Sequence, residues 1–268
     1  MKTVQTIAGF DPSSGAGVTA DLQVFAAHGL FGTSCITALT VQSTMGVRSL
    51  HPVDAAVLAD TLACLEEDIP AAGIKIGMLG TAAAVGTVSD FLEGLRGQGS
   101  GIPVVVDPVL RSSSGRELLD ADGVGLLKSR LLPLADWVTP NLNELAQLTG
   151  LTVTGRGEME IAADALQQMT TGRGIGVMAK GGHLEVPDDL VLTVEGEKIW
   201  LPGTRVKTTS THGTGCALSS ALMCRLALGE SASEAARGAK EYVAEAMRRA
   251  EKIGRGKGPM NLMWSLSS

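Results

Sequence analysis

The segment Ser-Thr-His-Gly-Thr-Gly-Cys at residues 210–216 is the part of the chain that decides both its fold and its site. It runs directly into Ala-Leu-Ser-Ser-Ala-Leu at 217–222, an apolar, small-residue pattern typical of a buried helix. A glycine turn that opens a helix leaves backbone N–H groups free at the positive end of the helix dipole, where phosphate or an oxyanion binds. Cys216 would lie in the first turn, where the same field favours the thiolate. A plain turn before a core helix with a buried cysteine is an equally good interpretation of this segment alone.

Composition restricts the class of protein. The chain has 268 residues, of which 44% are apolar, so it can bury a large core. Its net charge of −6 and its aromatic content of 3% argue against a nucleic-acid surface and against base-stacking platforms. We therefore expect no nucleic-acid partner.

Location is predicted from the apolar runs and the cysteines. No apolar run approaches the ~18 residues of a membrane span, and residues 1–9 are too short and polar for a signal peptide. The four cysteines form no Cys-x-x-Cys pair, and the histidines lack metal-ligand spacing. These features favour a cytoplasmic protein without a membrane partner.

Short β-rich runs alternate with helical patterns along the chain. Strands are predicted at 3–8, 32–40, 73–78, 103–107, 136–138 and 174–179, with a hairpin at 190–194 and 198–201. Helices are predicted at 16–28, 52–67, 81–96, 122–130, 141–148 and 158–169, from 213 onward and at 231–252. This alternation predicts an α/β fold, a mainly parallel central sheet with helices on both faces, in one domain spanning 1–268.

Polar and glycine-rich positions follow the predicted strands, at the sheet edge where such folds bind ligands. Gln42, Met78, Asp107, Asn141 and Lys180 each come just after a strand, and the loop 9–17 follows the first. That loop is either a tight strand–helix connection or a substrate wall.

Four charged residues near this edge have two interpretations each. Asp21 is either a solvated helix residue or a hydrogen-bond partner of a substrate hydroxyl. Asp107 ends an apolar strand, where a carboxylate needs a partner or a metal. Glu144 completes a capping box with Asn141, but with Asp107 it also supplies two acidic groups for a nucleotide-bound Mg²⁺. Lys180 is either a strand-end lysine or a point charge on transferring phosphate.

Seven ordered motifs resemble the bacterial hydroxymethylpyrimidine/phosphomethylpyrimidine kinases of thiamine biosynthesis, over nearly the whole chain. They are Ile-Ala-Gly-Phe-Asp-Pro-Ser-Ser-Gly-Ala-Gly at 7–17, Thr-Ala-Leu-Thr-Val-Gln-Ser-Thr at 37–44, Lys-Ile-Gly-Met-Leu at 75–79, Val-Asp-Pro-Val at 106–109, Thr-Pro-Asn-Leu-x-Glu at 139–144, Lys-Gly-Gly-His at 180–183 and Thr-His-Gly-Thr-Gly-Cys at 211–216. The resemblance implies a ribokinase-like three-layer sandwich, ATP and Mg²⁺ as cofactors, an aminopyrimidine alcohol and its phosphate as substrates, and a homodimer. In that family residues 110–115 often read differently; here they are Leu-Arg-Ser-Ser-Ser-Gly, a loop that would cover the phosphates.

The resemblance also implies roles for individual residues. The pyrimidine site would be lined by Gly9, Ala16, Gln42, Met78 and Val109, with Asp21 as a further candidate. The nucleotide phosphates would contact Thr139, Asn141, Lys180, Thr211 and Thr214, and Mg²⁺ would contact Asp107 and Glu144. Catalysis would rest on Lys180, on an anion hole formed by Gly213, Thr214, Gly215 and Cys216, and on Cys216 as the base.

Two other functions remain open at this stage. Pyridoxal kinase is one, because some proteins with this motif set accept vitamin B6 compounds. A pyrimidine-binding regulatory protein without turnover is the other, although a pure binder has no need of Asp107, Glu144, Lys180 and Cys216 together.

Overall fold

The strands follow the β-branched, apolar runs of the sequence. They are β1 (Thr3–Phe10), β2 (Phe31–Ser43), β3 (Gly46–Pro52), β4 (Ile74–Ile76), β5 (Val104–Val106), β6 (Trp137–Val138), β7 (Gly176–Ala179), β8 (Asp189–Leu192) and β9 (Lys198–Leu201). In the computed structural model, which describes residues 1–112, 115–170 and 173–266, they form one sheet in the order β3-β2-β1-β4-β5-β6-β7-β8-β9. Strands β2, β1, β4, β5, β6 and β7 run parallel, and β3, β8 and β9 pair antiparallel with their neighbours.

Helices cover both faces of this sheet. They are α1 (Gly17–Ala27), α2 (Ala55–Asp68), α3 (Ala82–Gly97), α4 (Ala121–Leu126), α5 (Leu142–Thr149), α6 (Arg156–Met169), α7 (Thr214–Leu228) and α8 (Ala232–Arg248). Along β5, Val104 and Val106 belong to the core shared with α2, α3, α5 and α6, whereas Val105 belongs to the core shared with α1, α7 and α8. This alternation follows from the two-residue period of a strand, and it confirms the predicted three-layer α/β architecture.

Two predicted elements were wrong in part. The helix predicted at 52–67 begins only at α2, because residues 46–52 form β3 and pair with β2 as a hairpin; Asp54 then caps α2 through the Ala56 N–H. The helix predicted at 122–130 is α4 followed by a π-helical turn, Leu127–Leu131. The hairpin of β8 and β9 is confirmed, with Gly196 in its turn at φ +87°.

No helix among the described residues is both long enough and apolar enough to cross a lipid bilayer.

Candidate active site

The first loop is wound around the carboxylate of Asp11, directly after β1. Its Oδ1 accepts hydrogen bonds from the Ser13 backbone N–H (2.8 Å) and hydroxyl (2.7 Å), and its Oδ2 lies 3.0 Å from the Ala16 N and 2.7 Å from the His212 Nε2. Burial acts to raise the pKa of Asp11, but the hydrogen bonds from His212 and Ser13 outweigh it and hold that pKa below its usual value. The loop is therefore a pre-formed wall at the start of α1.

The start of α7 lies against this loop. Gly213 has φ +78°, and a Cβ there would lie 1.8 Å from the Gly15 carbonyl oxygen, so the close approach of the two loops requires glycine. Helix α7 follows at once, and Thr211, Thr214 and the positions up to Cys216 line one cleft with the first loop. The predicted helix start is confirmed; the anion-binding role of its N–H groups stays a prediction.

A buried ionic cluster faces the same helix start. The Lys180 Nζ lies 2.8 Å from the Asp107 Oδ1 and 3.7 Å from the Glu144 Oε2. A Cβ on Gly215 would lie 3.0 Å from that Nζ and 3.5 Å from the Asp107 Oδ2. The cluster forms because β5, β6 and β7 are adjacent and parallel, so the residues after their last positions lie side by side.

Burial and charge set the ionisation of this cluster. Burial raises the pKa of Glu144 to about 7, and Asp107 adds to the rise while Lys180 opposes it. Burial alone would lower the pKa of Lys180, but Asp107 and Glu144 raise it well above its usual value, so the ammonium stays charged. A permanent positive charge therefore lies beside the helix start.

The capping interpretation of Glu144 is confirmed, and its role toward Mg²⁺ stays a prediction. Its Oε2 accepts from the Asn141 N–H (2.8 Å), and its own N–H donates to the Asn141 Oδ1 (2.9 Å), which is the predicted capping box of α5. The same Oε2 faces Lys180.

The Thr139 hydroxyl is a partner of Asp107 in this structure. The residue is fully buried, and its hydroxyl donates to the Asp107 Oδ1 at 3.3 Å. Because that carboxylate also pairs with Lys180, Thr139 helps to hold Asp107, and its predicted nucleotide contact stays a prediction.

The predicted pyrimidine residues line the same cleft. Gly9, Ala16, Gln42, Met78 and Val109 all line it. A Cβ on Gly9 would lie 2.2 Å from the Met78 Cε, so the Met78 side chain packs on the bare backbone near the end of β1. The Thr37 hydroxyl donates to the Met78 carbonyl oxygen (2.6 Å) and fixes that turn.

Both interpretations of Asp21, as a solvated helix residue and as a partner of a substrate hydroxyl, are wrong. It is fully buried, and its two oxygens lie 2.8 and 2.9 Å from the Lys75 Nζ. The Thr6 hydroxyl (2.6 Å) and the Ser220 hydroxyl (2.7 Å) donate to the remaining lone pairs. Four hydrogen bonds occupy the carboxylate, so it ties β1, β4 and α7 together beneath the cleft.

Lys75 and His212 line the cleft, yet the sequence reasoning gave neither of them a role. A signal for Lys75 was available, since it is a charged residue inside the otherwise apolar strand Ile74–Ile76. His212 stands within the quoted 210–216 segment, but its partners come from residues about 170 and 200 positions away, which no local pattern reveals.

The predicted depressed pKa of Cys216 is wrong. Burial raises the pKa of this thiol to about 11; the ammonium of Lys75 lowers it in part, and Asp107 raises it further. Cys216 is therefore a neutral thiol at physiological pH.

The loop at 110–115 lies partly outside the described residues, because Ser113 and Ser114 are not among them. At its edges, Arg111 pairs with Glu117 on the surface (3.1 Å) and Leu110 is buried.

Known proteins resemble this chain throughout its length. The family model described as phosphomethylpyrimidine kinase matches residues 11–261. A hydroxymethylpyrimidine/phosphomethylpyrimidine kinase of Haemophilus influenzae is 40% identical over 272 residues, which is 100% of this chain and 98% of that protein. A phosphomethylpyrimidine kinase of Clostridium difficile, solved as a crystal structure, has a TM-score of 0.77 at 34% identity and covers 92% of this chain and 99% of its own. The pyridoxal kinase of Staphylococcus aureus, solved with AMP-PCP and pyridoxal, has a TM-score of 0.86 at 30% identity and covers 98% of this chain and 94% of its own.

The sheet order, the glycine-rich helix start and the lysine–carboxylate cluster beside it define a ribokinase-like phosphotransferase. Within that class, the matching family model and the relative that is 40% identical both carry the name phosphomethylpyrimidine kinase. The chain belongs to the phosphomethylpyrimidine kinase family.

Proposed function

We propose that the chain transfers the γ-phosphoryl group of ATP to 4-amino-5-hydroxymethyl-2-methylpyrimidine and then to its monophosphate, in thiamine diphosphate biosynthesis. The observation that carries this proposal is the position of the α7 start, whose Gly215 lies against the Lys180 ammonium and the Asp107 carboxylate in the cleft that Gln42 and Met78 also line. Family membership at 40% identity to a relative of that name supports it. We treat residues 1–268 as one kinase domain.

The chemistry needs charge stabilisation more than a strong base. In the first transfer the substrate hydroxyl oxygen forms a bond to the γ-phosphorus, the bond from that phosphorus to the ADP oxygen breaks, and the hydroxyl proton passes to the Cys216 thiolate or to water. In the second transfer an oxygen of the substrate monophosphate attacks in the same way, and ADP again leaves. Free N–H groups at Gly213, Thr214 and Gly215, together with the Lys180 ammonium, would hold the negative charge on the transferred group. Cys216 serves as a base only in its ionised form, so turnover is expected to rise with pH above neutrality.

ATP and Mg²⁺ are the proposed cofactors. The pyridoxal kinase of Staphylococcus aureus, which has the same fold, is solved with AMP-PCP. Asp107 and Glu144 supply carboxylate oxygens, the ligands that Mg²⁺ prefers, with remaining positions left to phosphates and water. When bound, Mg²⁺ would neutralise charge on the phosphates, while Lys180 keeps the two carboxylates close together without it.

The decisive experiment is an ADP-release assay with the aminopyrimidine alcohol, its monophosphate and pyridoxal. Turnover of the first two is expected. Pyridoxal kinase is the second candidate, favoured by the structural likeness to the Staphylococcus aureus enzyme, and turnover of pyridoxal alone would establish it instead. Binding of the alcohol without any ADP release would point to the regulatory protein.

We also propose a homodimer in the cytoplasm. Three apolar side chains on the β2–β3 hairpin, Leu39, Val41 and Met45, are 49%, 47% and 68% exposed, which is typical of a contact surface. All four cysteines are free, as reducing compartments favour. Light scattering after size exclusion tests the dimer, and a Val41→Asp variant is expected to run as a monomer.

A further inference from the structure

His212 connects the first loop to the pyrimidine side of the cleft. Its Nε2 lies 2.7 Å from the Asp11 Oδ2 and 3.0 Å from the terminal amide of Gln42. Its side chain is 12% exposed, so water competes little for these contacts. The His212 imidazole thus lies between the carboxylate of Asp11 and Gln42, the residue predicted to contact the pyrimidine.

The contacts of Asp11 determine which atom of this network carries a proton. Both Asp11 oxygens accept from N–H or O–H groups of Ser13 and Ala16, so the carboxylate is an acceptor throughout. An unprotonated Nε2 at 2.7 Å would place two lone pairs against each other. The His212 Nε2 therefore carries the hydrogen and donates it toward Asp11.

That proton also fixes the polarity of the Gln42 amide. A protonated Nε2 has no lone pair in the ring plane, so the Gln42 atom 3.0 Å from it cannot be a donor. The Gln42 carbonyl oxygen therefore belongs on the His212 side, half a turn from the orientation that puts the nitrogen there, and it shares the single N–H with Asp11 as a three-centre bond. The Gln42 NH₂ then faces the Thr40 hydroxyl oxygen at 3.2 Å. Thr40 has one proton, which it donates to the Phe10 carbonyl (2.9 Å), so its oxygen is free to accept.

We infer that His212, held by Asp11, is a positioning residue that orients the Gln42 amide for recognition of the aminopyrimidine. In this orientation the amide retains one carbonyl lone pair and one N–H. The carbonyl lone pair accepts from an exocyclic amine, and the N–H donates to the adjacent ring nitrogen. The inference rests on the proposed function, because it assumes that Gln42 faces the aminopyrimidine.

The test compares the aminopyrimidine alcohol with its analogue lacking the 4-amino group, as the ratio of kcat/KM values. We expect wild type to prefer the amino compound, and His212→Leu to lower that preference about three- to tenfold, the worth of one hydrogen bond. His212→Gln places an amide N–H near the position of Nε2 and is expected to keep most of the preference. His212→Asn retains a polar side chain too short to reach, and serves as the second removal variant if the leucine variant does not fold.

A double-variant cycle separates positioning from a general structural effect. If His212 acts through Gln42, then His212→Leu in a Gln42→Leu background leaves the preference where Gln42→Leu alone puts it. Equal losses for both compounds, or a further drop in the preference in that background, would overturn the inference. Wild type that does not turn over the amino compound would overturn the proposed function, and this inference with it; turnover with an unchanged preference in His212→Leu overturns the inference alone.

Discussion

Cys216 is expected to react slowly with thiol reagents in the ligand-free protein. Its pKa of about 11 leaves roughly 0.001 of the thiol ionised near pH 8, against roughly 0.24 for an ordinary cysteine of pKa ~8.5. The more basic thiolate is intrinsically more nucleophilic, with a Brønsted coefficient of about 0.4–0.5, which recovers roughly tenfold. The net expectation is a rate about twentyfold below that of a cysteine in an unfolded peptide.

The measurement is labelling with a small disulfide reagent, read by peptide mass spectrometry at several pH values. The rate at Cys216 should rise about tenfold per pH unit from neutrality toward pH 11. Cys64, which is exposed, is the internal control for reagent access. Lys75→Met should slow the labelling of Cys216 further, because the neighbouring ammonium lowers its pKa. Labelling of Cys216 as fast as that of the peptide cysteine would refute the reasoning and restore the thiolate predicted from the sequence.

Three further predictions concern the charged groups. Lys180→Met should lower kcat on the order of 10²-fold or more. It should also lower the melting temperature, because Asp107 is left buried without its counter-charge. Normal turnover per folded molecule would contradict the catalytic role of Lys180. The raised pKa of Glu144 means that the folded state binds a proton more tightly than the unfolded chain, so in chelator the free energy of unfolding should fall as pH rises from 4.5 through about 7. In urea titrations, Glu144→Gln should show a flatter dependence of this free energy on pH. An equal slope in the variant and the wild type would be the contrary result. Asp21→Asn should cost about 3–5 kcal/mol in the free energy of unfolding, because the fully buried Lys75 ammonium loses its hydrogen-bonded carboxylate. Arg111→Ala breaks an exposed pair and should leave the urea midpoint almost unchanged. Similar midpoints for the two variants would contradict the assignment.

The sequence predicts the order of elements well because period and turn chemistry are local. It predicts which residues follow the ends of parallel strands, and so brings Asp107, Glu144 and Lys180 to one edge. It misplaces Asp21, since nothing local tells that Lys75, 54 positions away, lies against it.

The ionisation of Cys216 shows a second limit of the sequence. The helix start is a local feature and predicts a thiolate. Desolvation of the thiol and the carboxylates of Asp107 and Asp21, which come from distant parts of the chain, raise the pKa instead.

The site also depends on contacts between residues about 200 positions apart in the chain, and this determines when the site can form. Asp11 meets His212 over 201 positions, and Asp21 meets Ser220 over 199. Contacts of such separation form late, because loop closure must be paid for before they stabilise anything. During synthesis, the first loop and the pair of Asp21 and Lys75 therefore lack His212 and Ser220 as partners until the chain has been made through residue 220. Substrate-binding ability should be the last property a refolding molecule acquires, after its helices and its central strands are in place.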